Sequence, residues 1–200
     1  VAVIRKGVLQ QVDSPQRLYE HPRNLFVAGF IGSPAMNLLE AKLTGSNGSA
    51  QVEVGGYTLP VPPELTAARP ELSRFIGKDV ILGIRPEDME DVALAREARA
   101  DSTISATVDL REALGSDVVI HFKMKAAHPI TDDTKELASD VGREALEMVE
   151  AHAEQGESNV VARLNPRTKA AKGERLDLVI DTRRMHFFDP EDGSGIWDGK

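Results

Sequence analysis

Short apolar runs separated by glycine-bearing turns recur along this chain from Asn37 to Phe188, and that punctuation points to a small β-barrel or sandwich. Leu38–Leu43 forms the first run. Gln51–Val54 and Tyr57–Val61 flank Gly55-Gly56, a strong signal for a two-residue hairpin turn. Pro62-Pro63 opens a connection reaching Phe75, and Ser102–Leu110 and Asp117–Met124 alternate around Gly115-Ser116. Asn159–Leu164, Leu176–Ile180 and Arg184–Phe188 complete the set. Between these lies the β-branched run Val80–Ile84, cut off by Arg85-Pro86-Glu87. Proline cannot donate to a sheet ladder and pushes its predecessor towards extended geometry. The strand therefore ends at Arg85, with one cation and one anion fixed at its exit.

The first 36 residues read differently. Val1–Ile4 and Val8–Val12 suit a hairpin turning at Arg5-Lys6-Gly7, and Val1 stands inside an apolar run, as expected of a strand continuing from a domain upstream. Ser14 can cap a short helix with Pro15 at its first position, where the missing N–H costs nothing. Asn24 opens a second helix over Leu25–Ile31, closed by Gly32-Ser33-Pro34. Phe26 and Phe30 share one face of it, Val27 and Ile31 another, so this helix must pack against something large.

Charge is concentrated in one segment. Asp132 to Glu157 holds nine acids and two bases, seven of the chain's eight net negative charges. Leu137, Val141, Ala145, Met148 and His152 recur at helical spacing, so Asp132–Gln155 is expected to be an amphipathic helix with a narrow stripe docked on the barrel. The main expectation is a solvated insertion, and the alternative is a docking surface for a basic partner. With 32 acids against 24 bases and nine aromatic residues, the chain suits neither nucleic-acid backbone nor base stacking. Zero cysteines exclude disulfides and thiolate metal sites.

Catalytic patterns are missing from these residues. No G-x-x-x-x-G-K-[ST] loop occurs, and the five histidines stand without metal-ligand spacing. Glu87-Asp88 and Glu90-Asp91 read as a solvated loop after a strand exit, since catalytic carboxylates need one pKa displaced by burial or a close partner. Arg85 and Glu87 suit a structural role. A guanidinium can grip a carboxylate through two parallel hydrogen bonds and fix a loop or a subunit boundary.

The run Gly7–Asn37, GVLQQVDSPQRLYEHPRNLFVAGFIGSPAMN, together with GIRPE at Gly83–Glu87, resembles the end of the nucleotide-binding domain and the start of the regulatory domain in MalK-like ATPase subunits of bacterial sugar importers. Glu112–Ser116 (EALGS), Asn165-Pro166-Arg167 and His186–Gly193 (HFFDPEDG) extend the likeness, which covers Val1–Lys125 and Glu157–Ile196 and lapses between Ala126 and Gly156. The resemblance implies a mainly β fold with minor α: an OB-type (TOBE) β-barrel preceded by a short hairpin and two-helix junction and carrying an inserted helix. Residues 1–36 would be a remnant of the nucleotide-binding domain with its helical junction. Residues 37–200 would be the regulatory domain, its acidic helical insertion at about 126–157.

Function follows by the same likeness: this stretch would tether the ATPase dimer as a homodimer through the regulatory domain and offer a docking surface to a regulatory protein. No cofactor is implied for these residues themselves. ATP and Mg would belong to the parent ATPase, whose binding motifs would lie upstream of Val1, and membrane-spanning permease subunits would be its partners at the cytoplasmic face. The residues singled out for structure or interface are Arg85, Glu87, Gly115, Ser116, Phe188, Asp189 and Pro190. A second reading from the same fold is a small-ligand barrel for an oxyanion or a sugar.

Overall fold

A computed structural model describes residues 1–46, 49–96, 99–141 and 156–197. Strands β1 (Ala2–Arg5) and β2 (Val8–Val12) form an antiparallel hairpin. Its turn places Lys6 and Gly7 at φ of 46° and 80°, the pair of left-handed conformations a tight hairpin of right-twisted strands requires. Helix α1 (Pro15–Glu20) starts where Ser14 Oγ accepts from the Arg17 N–H. In α2 (Leu25–Phe30), Asn24 Oδ1 accepts from the Val27 N–H at 2.9 Å. Both caps satisfy donors that a helix start leaves orphaned.

The remaining strands are β3 (Asn37–Ser46), β4 (Ser49–Val54), β5 (Tyr57–Val61), β6 (Asp79–Ile84), β7 (Met89–Asp91), β8 (Thr103–Ala113), β9 (Val118–Met124), β10 (Ser158–Leu164), β11 (Arg175–Ile180) and β12 (His186–Phe188). They make two antiparallel sheets, ordered β12-β6-β3-β4-β5 and β10-β9-β8-β11-β7. Leu43, Val52, Leu59 and Leu82 of the first sheet meet Ile104, Ile120, Val160 and Leu178 of the second in one core. The mainly β, OB-type architecture expected from the sequence is what the chain adopts.

Strand β6 is buried on both faces, which accounts for an apolar run without alternation. Val80, Leu82 and Ile84 enter the main core, while Ile81 joins Leu25, Ala28, Met36, Leu38 and Phe188 under α2. The large surface that α2 demanded is thus the outer face of the first sheet.

Two local expectations are corrected, and one lies partly outside the described residues. The acids after β6 are not a solvated loop: Pro86–Asp88 make a single 3-10 turn, and Met89–Asp91 form β7 against β11. Asp88 and Asp91 are buried there, and Asp91 Oδ2 accepts from the Thr168 hydroxyl at 2.6 Å. Secondly, after the short helix α3 (Pro63–Ala67) that follows β5, the acidic helix is α4, described over Asp132–Val141, and the continuation expected to Gln155 lies outside the described residues. Thirdly, its Leu137 docks on Val3, Leu18, Phe26 and Val27 of the N-terminal elements rather than on the barrel.

Candidate functional site

Arg85 leaves the end of β6 fully enclosed, at 1% exposure. Among the described residues it grips no carboxylate in two parallel bonds, contrary to expectation. Its Nη1 donates to the Ile31 carbonyl at 2.8 Å and its Nη2 to the Tyr19 carbonyl, while the Tyr19 ring lies 3.4 Å from the guanidinium carbon. Ile31 ends α2, and Tyr19 belongs to the last turn of α1. Two helix C-termini, with their orphan carbonyls and negative dipole ends, therefore converge on one cation. Burial pushes the guanidinium down to about 10, which leaves it charged at neutral pH. The conformation of Gly32, at φ 123°, is suited to glycine, and a Cβ there would stand 3.1 Å from Arg85 Nη1. The glycine of FIGSP thus makes room for the arginine of GIRPE, 53 positions away in sequence.

Glu87 is half-buried and has no hydrogen-bonding or ion-pair partner among the described residues. Its neighbour Asp88 takes the role the sequence suggested for it. Arg184 Nε lies 2.5 Å from Asp88 Oδ1, and the Asp88 carbonyl accepts from the Asp181 N–H at 2.8 Å. Burial pushes the Asp88 carboxyl up to about 6 against the opposing pull of Arg184.

A second buried guanidinium sits close by. Arg69 Nη1 donates to the Met185 carbonyl at 3.0 Å, and its plane lies 3.8 Å from the ring of Trp197. Trp197 donates from Nε1 to the Pro22 carbonyl at 3.0 Å and packs against His21 and His186 at centroid distances of 4.6 and 5.9 Å. Burial, and then the positive charges of Arg69, Arg85 and Arg184, hold the His186 imidazole well below its ordinary value, so it is neutral. Arg85 Nε, Asp88 Oδ2 and His186 Nδ1 are buried with no hydrogen-bond partner among the described residues, a cost the surrounding packing has to offset.

The C-terminal loop closes this joint. Phe188, fully buried, lies among Leu25, Ile81 and Leu38. Asp189 Oδ1 accepts from the Glu191 N–H at 2.8 Å, and its own N–H donates to the Ser194 carbonyl. The loop thus shaped presents the Gly193 carbonyl to the Leu25 N–H at 2.9 Å, at the start of α2. Pro190 is exposed beside an open groove of about 770 Å³. Its sheet wall sets Glu40, Glu53 and Asp79 against Lys42, an excess of acid that does not suit an anion.

Among the seven residues singled out, Arg85, Phe188 and Asp189 meet at the joint between α1, α2 and the first sheet. Gly115 and Ser116 do not. They form the exposed tip of the β8–β9 hairpin on the second sheet, where Gly115 has φ 87° and the Ser116 hydroxyl donates to Asp117. Leu110 and Leu114 stand out from that ribbon, at 46% and 64% exposure. Sequence reasoning missed Tyr19, Arg69, Asp88 and Trp197. Tyr19 and Asp88 stand inside runs that the sequence marked, and Trp197 is the sole tryptophan, but nothing in their local pattern names a partner.

Comparison with known proteins was made against this geometry. The family model of the MalK OB fold domain matches residues 32–89, and that of the TOBE domain matches residues 82–148, running into the acidic segment. The trehalose import ATP-binding protein SugC of Mycobacterium tuberculosis is 38% identical over 98% of this chain and 47% of its own length. The trehalose/maltose import ATP-binding protein MalK of Thermococcus litoralis is 31% identical over 98% of this chain and 44% of its own. For the oligosaccharides import ATP-binding protein MsmX of Bacillus subtilis the figures are 31%, 96% and 42%. The chain thus spans about half the length of the curated relatives it matches. Among solved structures, the cytoplasmic molybdate-binding protein ModG aligns over 76% of this chain and 94% of its own with 14% identity and a TM-score of 0.43, too slight a likeness to argue from.

Proposed function

The chain belongs to the MalK-like family of carbohydrate-importer ATP-binding subunits, and from that premise we propose that it is the regulatory portion of such a subunit. On this reading it tethers an ATPase dimer while the nucleotide-binding domains open and close. The observation that carries the reading is the Arg85 clasp. A tether transmits position only if its two ends are rigidly joined, and one buried cation holds the ends of α1 and α2 to the end of β6. A persistent pairing of two such barrels would make nucleotide-domain closure effectively intramolecular, replacing a dilute encounter with a high local concentration.

The exposed β8–β9 tip, with Leu110, Leu114, Gly115 and Ser116, is the contact surface we assign to a second copy or to a regulatory protein. ATP and Mg belong on this reading to the parent subunit, permease subunits are its membrane partners, and the cytoplasmic face is its place. Among the described residues no helix is long and apolar enough to cross a membrane. Sedimentation of the chain over a wide concentration range tests the pairing. A reversible dimer that Leu114→Asp dissociates is the expected result, and a monomer at every concentration would remove autonomous pairing from the reading.

A further inference from the structure

Helix α4 is rooted in the barrel and lays its first two turns against the N-terminal elements. At the root, the Glu40 N–H of β3 donates to the Ala127 carbonyl at 2.9 Å, and the Ser158 hydroxyl of β10 donates to the Ala126 carbonyl at 2.7 Å. Both sheets thus hold the segment leading into the helix. Thr131 and Thr134 then cap it reciprocally. Each hydroxyl accepts from the other residue's N–H, at 3.2 and 2.9 Å, as in a capping box with threonine in place of the usual acid. The helix leaves the barrel in a fixed direction.

Along those first two turns two kinds of contact hold it. One is apolar: Leu137 reaches the cluster of Val3, Leu18, Phe26 and Val27 through a notch at Gly29, where a Cβ would stand 2.5 Å from Leu137 Cδ1. The other is ionic. Arg5 pairs with Asp133, Arg5 Nε lies 2.7 Å from Glu136 Oε2, and Lys6 Nζ lies 3.1 Å from the same carboxylate. The side chains of Arg5, Asp133 and Glu136 are at most 20% exposed, so the pairs are partly sheltered, whereas Lys6 reaches in from solvent. Arg5 also lies 5.4 Å from the centre of the Phe26 ring.

The two contacts respond differently to solution conditions. Screening shortens the reach of charge from about 10 Å at 0.1 M salt to about 3 Å at 1 M, while apolar contacts are left in place. The ionic contacts bear on the hairpin turn and the leucine bears mainly on α2. We propose that α4 is a two-part strap whose ionic half fastens the β1–β2 hairpin to the regulatory barrel, so that ionic strength sets how firmly the two move together. Its use in governing an importer rests on the function proposed above. The strap itself is a property of this chain and is tested on it.

The test is hydrogen exchange of the 200-residue chain at 0.02 and 0.5 M sodium chloride, read on the amides of β1 and β2, on α4 and on β3–β6. Hairpin amides are expected to exchange roughly two- to threefold faster at high salt, part of an ion-pair contribution, because partly sheltered pairs are screened less than exposed ones. Amides of α4 and of β3–β6 are expected to change little, because Leu137 and the core remain packed. Glu136→Gln, which keeps the side chain's size and removes its charge, is expected to show fast hairpin exchange at low salt and little further response. Hairpin exchange that ignores salt, a response spread equally over the barrel strands, or a full salt response retained by Glu136→Gln would each overturn the proposal. Sedimentation of the same samples keeps the two readings apart: a monomer with a salt-sensitive hairpin removes the tethered dimer and leaves the strap standing.

Discussion

Replacing Arg85 by alanine should unfasten the helical junction before it disturbs the barrel. The substitution removes two charged hydrogen bonds, each worth about 1.5–3 kcal/mol, and a desolvated cation–π contact worth about 2 kcal/mol. It leaves the Tyr19 and Ile31 carbonyls without this donor and opens a cavity beside the Tyr19 ring. Against these losses stands the relief of a cation held at 1% exposure, itself several kcal/mol. The balance is a net loss of about 3 kcal/mol, or roughly 6–12 °C in Tm for a domain of this size. Thermal unfolding followed by circular dichroism measures it. Tryptophan emission reports separately on the joint, because Trp197 is the only tryptophan and packs on Arg69 and His21. Arg85→Lys should recover about half of the loss, since an ammonium can reach one carbonyl but cannot span both in a fixed fork. A Tm for Arg85→Ala within 2 °C of the parent, a threshold below roughly 1 kcal/mol, would refute the clasp.

Gly32→Ala should cost about 1–3 kcal/mol, because it combines an unfavourable φ with a Cβ pressed on Arg85 Nη1. In an Arg85→Ala background that cost should shrink, which a double-mutant cycle by urea denaturation checks. Acidification tests the buried titrating groups, which act in opposite directions. His186 has its pKa lowered by burial, so its stability contribution is present above the ordinary histidine value of 6.5 and is lost as pH falls below it. Asp88 has its pKa raised to about 6, so its contribution is present below the ordinary 3.8 and is lost as pH rises through 6. Asp88→Asn removes the opposing slope, so the urea midpoint should fall more steeply between pH 7.5 and pH 5 than in the parent. Leu114→Asp, at an exposed tip, should shift Tm by no more than the roughly 0.5 kcal/mol typical of surface changes while abolishing self-association in sedimentation.

The strands were legible because local pattern and packing agree in them. Alternation in Gln51–Val54 and the glycine pair before Tyr57 reappear as β4, β5 and their turn. The caps at Ser14 and Asn24 reappear too, since a cap depends on residues three positions away. Strand β7 was hidden because three residues carry too little pattern, and its pairing partner β11 lies some ninety positions later. The start of Leu137's helix was readable, but the choice between the barrel and the N-terminal elements as its seat depended on a glycine notch and a pair of basic residues over a hundred positions upstream.

The arginine at the exit of β6 divides the two kinds of knowledge. Proline at position 86 ends the strand and forces Arg85 to its edge, a consequence of backbone chemistry that needs no other part of the chain. The partner of that arginine is a different matter. The adjacent acids made a carboxylate grip the natural expectation, yet the guanidinium turns to the carbonyl ends of two helices that fold up more than fifty residues earlier. Sequence alone determined the longer strands, turns, caps and the likeness to importer subunits, because each of these is written in neighbouring residues. Only the tertiary structure decided what the buried charges hold, because a helix end becomes an anion-like site only where packing brings it against a cation and excludes water.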